Sequence, residues 1–154
     1  MIPAFERGTG YLPTGIHLAG WQEFHDRFSG TSHRRVLLRG MKTALGLLKD
    51  ARCETAYIGG SFVTKKSRPK DFDGCWDETT VDWTRLDPIF LPHRLPPLGL
   101  LMIDKAGQWQ RFRGEFYPAG AIAAGAGCSY LDFFQRDKED VPRGIIRFSL
   151  RDLT

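Results

Sequence analysis

The sequence predicts an α+β domain in which a mixed or antiparallel sheet carries helices mainly on one face. Three observations point there. An amphipathic stretch from about residue 32 to Asp50 has helical spacing. Short stretches at 54–58, 71–76, 109–117 and 144–151 read as strands, with clear alternation at 71–76 and 144–151. A Gly-Gly-Ser turn joins the first two of those strands.

The elements follow in chain order. Residues 1–18 read as an extended, turn-rich lead, because Gly8, Gly10, Pro13 and Gly15 interrupt any period. Trp21, Phe24 and Phe28 recur at helical spacing, so 20–28 is expected to be a short helix. Thr31 or Ser32 can cap the next one. In that long helix Leu37, Leu38, Met41, Leu45 and Leu48 form the apolar face, and Arg34, Arg35, Arg39, Lys42 and Lys49 are read as lying mostly off it.

Residues 54–58 suit a strand that feeds the Gly59-Gly60 turn. Asp71-Phe72-Asp73-Gly74-Cys75-Trp76 suits a second strand, with both acids on one face. The proline-rich stretch 77–98 reads as loop with a helical turn near 81–91. Residues 98–103 form an apolar run, either strand or buried helix end. Residues 109–117 read as a strand stopped by Pro118. Residues 119–128, rich in Ala and Gly, are ambiguous, and Ser129 with Asp132 resembles a capping box before a short helix. In the last strand Ile146, Phe148 and Leu150 share one face and Arg147 and Ser149 the other.

Length and composition bound the rest. The chain's 154 residues suit one domain spanning 1–154. Hydrophobic residues make up 42% and charged residues 26%, the balance of a soluble globular protein. The net charge of +4 weakly favours anionic ligands. Cys53, Cys75 and Cys128 form no CxxC pair, which argues against a zinc cage and for reduced thiols in the cytoplasm. The N-terminus has no apolar signal region, and no apolar run approaches the ~20 residues of a membrane span, so no membrane partner is expected.

The chemistry concentrates in Gly59-Gly60-Ser61 and, ten residues after Ser61, in Asp71-Phe72-Asp73. Glycine lets the backbone approach a phosphate closely, and the Ser61 hydroxyl adds a donor. Asp71 and Asp73 supply the hard oxygen ligands that magnesium takes. Two such ions can activate an attacking oxygen and stabilise a leaving one. A third carboxylate is expected on a neighbouring strand, with Glu115 the first choice and Asp104 the second. Lys65, Lys66, Arg68 and Lys70, in the connecting loop, could steer a triphosphate. Each half alone is an ordinary turn or strand edge, and only the order and spacing make a site.

Other residues have plainer readings. The histidines are scattered without metal-ligand spacing, and His17 reads as a turn hydrogen bond. Cys75 reads as buried and inert, and the four tryptophans as core. The Arg34, Arg35 and Arg39 face reads as solvated, with contact to RNA or DNA as the alternative.

Tyr57-Ile58-Gly59-Gly60-Ser61 followed by Asp71-Phe72-Asp73 resembles the polymerase-beta-like nucleotidyltransferase superfamily. More narrowly, the chain is similar to a family of small bacterial and phage proteins described as nucleotidyltransferase-like. That likeness rests on segments 12–17, 60–65, 69–74, 132–137 and 143–146. The resemblance implies a minimal nucleotidyltransferase fold. It implies that Gly60 and Ser61 bind nucleotide phosphates, beside Lys65, which is read from its charge as a further nucleotide contact, and that Asp71, Asp73 and Glu115 are catalytic and hold Mg2+. It further implies transfer of a nucleoside monophosphate from a nucleoside triphosphate to an RNA or protein hydroxyl. Glu115 stands where the superfamily more usually has aspartate. The alternative is an inactive nucleotidyltransferase-fold module that binds a protein or nucleic-acid partner, antitoxin-like or related to phage defence.

Overall fold

A computed structural model describes residues 1–95 and 100–154. The part of the apolar run at Leu98 and Gly99, and the prolines Pro96 and Pro97, lie outside the described residues. The architecture is mixed α+β. Strand β1 (Ile16–Leu18) is followed by α1 (Trp21–Phe28) and α2 (Ser32–Asp50). Then come β2 (Thr55–Gly59), β3 (Phe72–Trp76), β4 (His93–Leu95), β5 (Leu100–Met102) and α3 (Lys105–Phe112). The chain closes with β6 (Gly114–Pro118), α4 (Tyr130–Phe133) and β7 (Ile145–Ser149).

Five strands form one sheet in the order β1-β7-β2-β3-β6, and β4 pairs with β5 separately. The sheet is mixed. β2 runs antiparallel to β3 and β7, while β1–β7 and β3–β6 are parallel.

The period-2 alternation of strands sorts side chains into two layers. On one face Ala56, Ile58, Phe72, Trp76, Phe116, Ile146 and Phe148 join the larger core with residues of α1, α2 and α3. On the other, Cys75, Tyr117 and Ile145 join a smaller cluster with Tyr130 of α4 and Phe134. All five expected apolar residues of α2 are buried, and Thr31 caps it by accepting from the Arg34 amide. Gly40 of α2 sits where a Cβ would collide with the Phe112 carbonyl oxygen, so only glycine permits this approach of α2 to the end of α3.

The structure corrects several expectations. Residues 109–112 belong to a helix, not a strand, because Asp104 caps α3 by accepting from the Gly107 amide at 2.9 Å. The strand read there begins only at Gly114, after Arg113 turns the chain through a left-handed φ of 67°. The helical turn near 81–91 is a short 3-10 turn at Pro88–Phe90. The lead contributes β1 rather than staying wholly irregular. Arg34 is buried rather than solvated. Of the tryptophans only Trp76 is fully buried: Trp83 and Trp109 are exposed, and Trp21 is half-buried. Ser129 caps α4, its hydroxyl accepting from the Asp132 amide, which is the N-cap half of the expected capping box. Among the described residues no helix is long and apolar enough to cross a membrane.

Candidate functional site

The Gly60 turn sits against the Asp73 side chain. β2 ends at Gly59, which is in register with Asp73 of β3. The chain then turns at Gly60, with φ 68° and ψ −166°, a conformation essentially reserved for glycine. A Cβ on Gly60 would fall 2.6 Å from Asp73 Oδ2. The turn therefore requires glycine twice over, for its backbone and for the carboxylate beside it. Ser61 opens the short 3-10 turn that follows, and its carbonyl accepts from the Thr64 hydroxyl at 2.7 Å.

The loop after the turn is pinned from α2. The Arg34 guanidinium donates to the carbonyl oxygens of Phe62 at 2.8 Å, Thr64 at 3.1 Å and Lys66 at 2.6 Å. This role was legible in principle. Arg34 lies seven residues before Met41, on the apolar stripe of α2, but its charge argued for solvent.

Glu115 comes to the site through strand pairing. β6 lies parallel to β3 with Asp73 opposite Glu115, so both carboxylates project from one face. The outer edge of β6 is held by Gln108 of α3, which is fully buried. Gln108 Oε1 accepts from the Phe116 amide at 2.8 Å, and Nε2 donates to the Phe116 carbonyl at 3.2 Å. One side-chain amide thus stands in for a neighbouring strand. Glu115 Oε2 in turn accepts from the Tyr117 hydroxyl at 2.8 Å.

The carboxylates perturb one another. Burial, then the charges of Asp71 and Glu115, push Asp73 up to about 7, against the pull of Arg143 and Lys105. Burial and then Glu115 also raise Asp71, while Lys70 and Lys66 oppose the shift. Burial, followed by the bond to Glu115, pushes the Tyr117 hydroxyl far up, so it remains a donor. Cys75 is buried with its thiol pushed up by desolvation, an inert neighbour as expected.

Asp73 and Glu115 line a cleft of about 400 Å³ that also takes in Lys105, Tyr117, Phe133, Lys138 and Arg143. Arg143 lies 5.7 Å from the Tyr11 ring centroid, and its buried Nε has no partner among the described residues. Tyr11 is anchored by donating to Asp137 Oδ2 at 2.6 Å, so the N-terminal lead is tied to two residues of the cleft wall, Asp137 and Arg143.

The expected residues are therefore only partly assembled. Gly60, Asp73 and Glu115 come together, and Asp71 lies close enough to both acids to perturb Asp73. Lys65 does not join them. Its amide donates to the Gly10 carbonyl, and it lines a different groove with Phe5, Arg27 and Phe28. Asp104 serves as the cap of α3. Among the described residues no group of three or more His, Cys, Asp or Glu side chains is arranged to hold a metal ion. The donors fit magnesium in kind, being hard oxygens whose mutual repulsion a cation would relieve. Their geometry is not pre-set, and Glu115 is engaged by Tyr117. Lys105 and Arg143 were missed by the sequence reading because the first lies in the unexpected helix and the second ends a polar turn.

Fold and site together define a mixed α+β protein with a carboxylate-bearing, cation-walled cleft on one sheet face. The chain belongs to a family of unknown function (DUF6932), which it matches over residues 3–149. No curated protein and no solved structure matches it.

Proposed function

We propose that this protein is a magnesium-dependent nucleotidyltransferase. The observation that carries the reading is the contact of the Gly60 turn with Asp73, itself in register with Glu115. Nucleotidyl transfer asks a protein mainly for positioning and neutralisation of charge. Asp71 and Asp73 would hold magnesium, and Glu115 would become a third ligand on leaving Tyr117. Lys105 and Arg143 would meet the phosphates, with Gly60 and Ser61 at the turn beside them. An acceptor hydroxyl, on RNA or protein, would bond to the α-phosphorus as the bond to pyrophosphate breaks and the hydroxyl proton is released.

The test is incubation of the pure protein with magnesium, each labelled nucleoside triphosphate, and total RNA or lysate. Label transfer that disappears in the Asp71→Asn/Asp73→Asn variant is expected. Absence of transfer with every nucleotide, together with unchanged magnesium–nucleotide affinity in that variant, would overturn the reading. A second reading, a non-catalytic binding module, is favoured by one observation: the carboxylates are not arranged as a metal group. Stoichiometric capture of a partner without transfer would support it.

A further inference from the structure

A groove lined by basic residues lies away from the acidic cleft, on the helix-covered side of the sheet. α1 and α2 enclose a groove of about 430 Å³ whose lining includes Trp21, His25, Arg35, Leu38, Arg39 and Lys42. It shares no lining residue with the cleft around Asp73.

The helix spacing explains the line of charge. Arg35, Arg39 and Lys42 stand at i, i+4 and i+7 of α2, so they share one face over ~10 Å of helix. All three are exposed. None forms an ion pair among the described residues. Asp26 of α1 does not line the groove and is engaged by Gln22 at 2.8 Å and His25 at 3.7 Å. Three adjacent unneutralised cations repel one another, and an anion laid along them removes that repulsion.

Trp21 adds a flat platform. Its ring is fixed against Phe24 and Phe148, at centroid distances of 6.0 and 6.2 Å, yet it is only half-buried. It lines this groove and also the adjoining one beside Leu18 and Arg147. The Lys42 ammonium lies 5.9 Å from the ring centroid. A fixed aromatic ring beside a row of cations suits an unpaired base attached to a phosphate backbone. A duplex has no free base face to offer, and an acidic peptide would use the cations but not the platform.

We propose that the α1–α2 groove binds single-stranded nucleic acid, with a base stacked on Trp21 and backbone phosphates on Arg35, Arg39 and Lys42. This site stands independently of the nucleotidyltransferase reading.

The experiment is fluorescence anisotropy of the full chain with a short fluorescein-labelled single-stranded RNA across a salt series. Three phosphate contacts predict a slope of log K against log salt of about −2. Arg35→Gln/Arg39→Gln/Lys42→Gln should weaken binding at least about tenfold and flatten the slope. Trp21→Leu should weaken binding about tenfold and Trp21→Phe much less, since phenylalanine keeps a stacking face. Melting curves establish that each variant is folded, and the triple variant changes only exposed side chains. The Asp71→Asn/Asp73→Asn variant should bind the strand as the natural protein does, so failure here and failure of the acidic cleft are told apart. No saturable binding at low salt would overturn the proposal. So would unchanged affinity in the triple variant, or displacement of the strand by polyglutamate or duplex as readily as by unlabelled strand.

Discussion

Gly60 and Asp73 are in contact across the β2–β3 pair, with the Asp73 carboxylate occupying the space that a Gly60 side chain would need. Gly60→Ala would therefore force a left-handed residue and a collision at 2.6 Å from Oδ2. We expect a loss of roughly 2–3 kcal/mol in urea denaturation. Pairing it with Asp73→Ala should recover the collision part but not the backbone part. Equal losses on introducing Gly60→Ala into the natural protein and into Asp73→Ala would show that the carboxylate contact contributes nothing.

The raised pKa of Asp73 makes stability fall with rising pH. The unfolded chain releases this proton near 3.8, and the folded chain keeps it to about 7. The contribution is therefore fully present below the unfolded value, lost as pH climbs between the two, and constant above. Asp73→Asn removes the effect and should be the more stable form at pH 8, by about 1–3 kcal/mol. Melting curves at pH 5 and pH 8 check this, and parallel pH profiles for the two proteins would refute it.

Magnesium should act in the opposite sense. A cation that binds the ionised carboxylates stabilises only the folded state. The expected result is a rise in melting temperature on adding magnesium at pH 8, a smaller rise at pH 5, and none in Asp71→Asn/Asp73→Asn. A rise that persists in the double variant would locate the ion elsewhere.

Arg34 is predicted to be a loop pin that lysine cannot replace. Its guanidinium reaches three carbonyls at once. An ammonium lacks that planar fork. Arg34→Lys should cost about 1–3 kcal/mol and Arg34→Ala more, because buried carbonyls lose their donors. Hydrogen exchange should show faster opening of residues 61–66, and uniform acceleration along the chain would instead indicate a merely global effect.

Gln108 should be equally intolerant. Gln108→Leu keeps the volume but leaves the Phe116 amide and carbonyl unpaired at the sheet edge. A loss of about 2–4 kcal/mol is expected, measured by thermal unfolding. A near-neutral result would mean that β6 holds its place by pairing with β3 alone.

Much of this was written in local sequence. The period of Leu37, Leu38, Met41, Leu45 and Leu48 specified α2, alternation marked β3 and β7, and the turn at Gly59-Gly60 marked the end of β2. The Gly-Ser turn and the Asp-x-Asp pair mark the candidate site in the sequence itself. These signals are legible because helix and strand periods, turn propensities and caps act between residues close in the chain.

Tertiary structure alone decided the rest. Strand pairing set Glu115 opposite Asp73. Three distant carbonyls drew Arg34 into the core, and the fold brought Arg143 and Lys105 to the acids while carrying Lys65 to another groove. Pairing register and charge proximity are set by residues far apart in sequence. No local period records which of several cations will face a buried carboxylate.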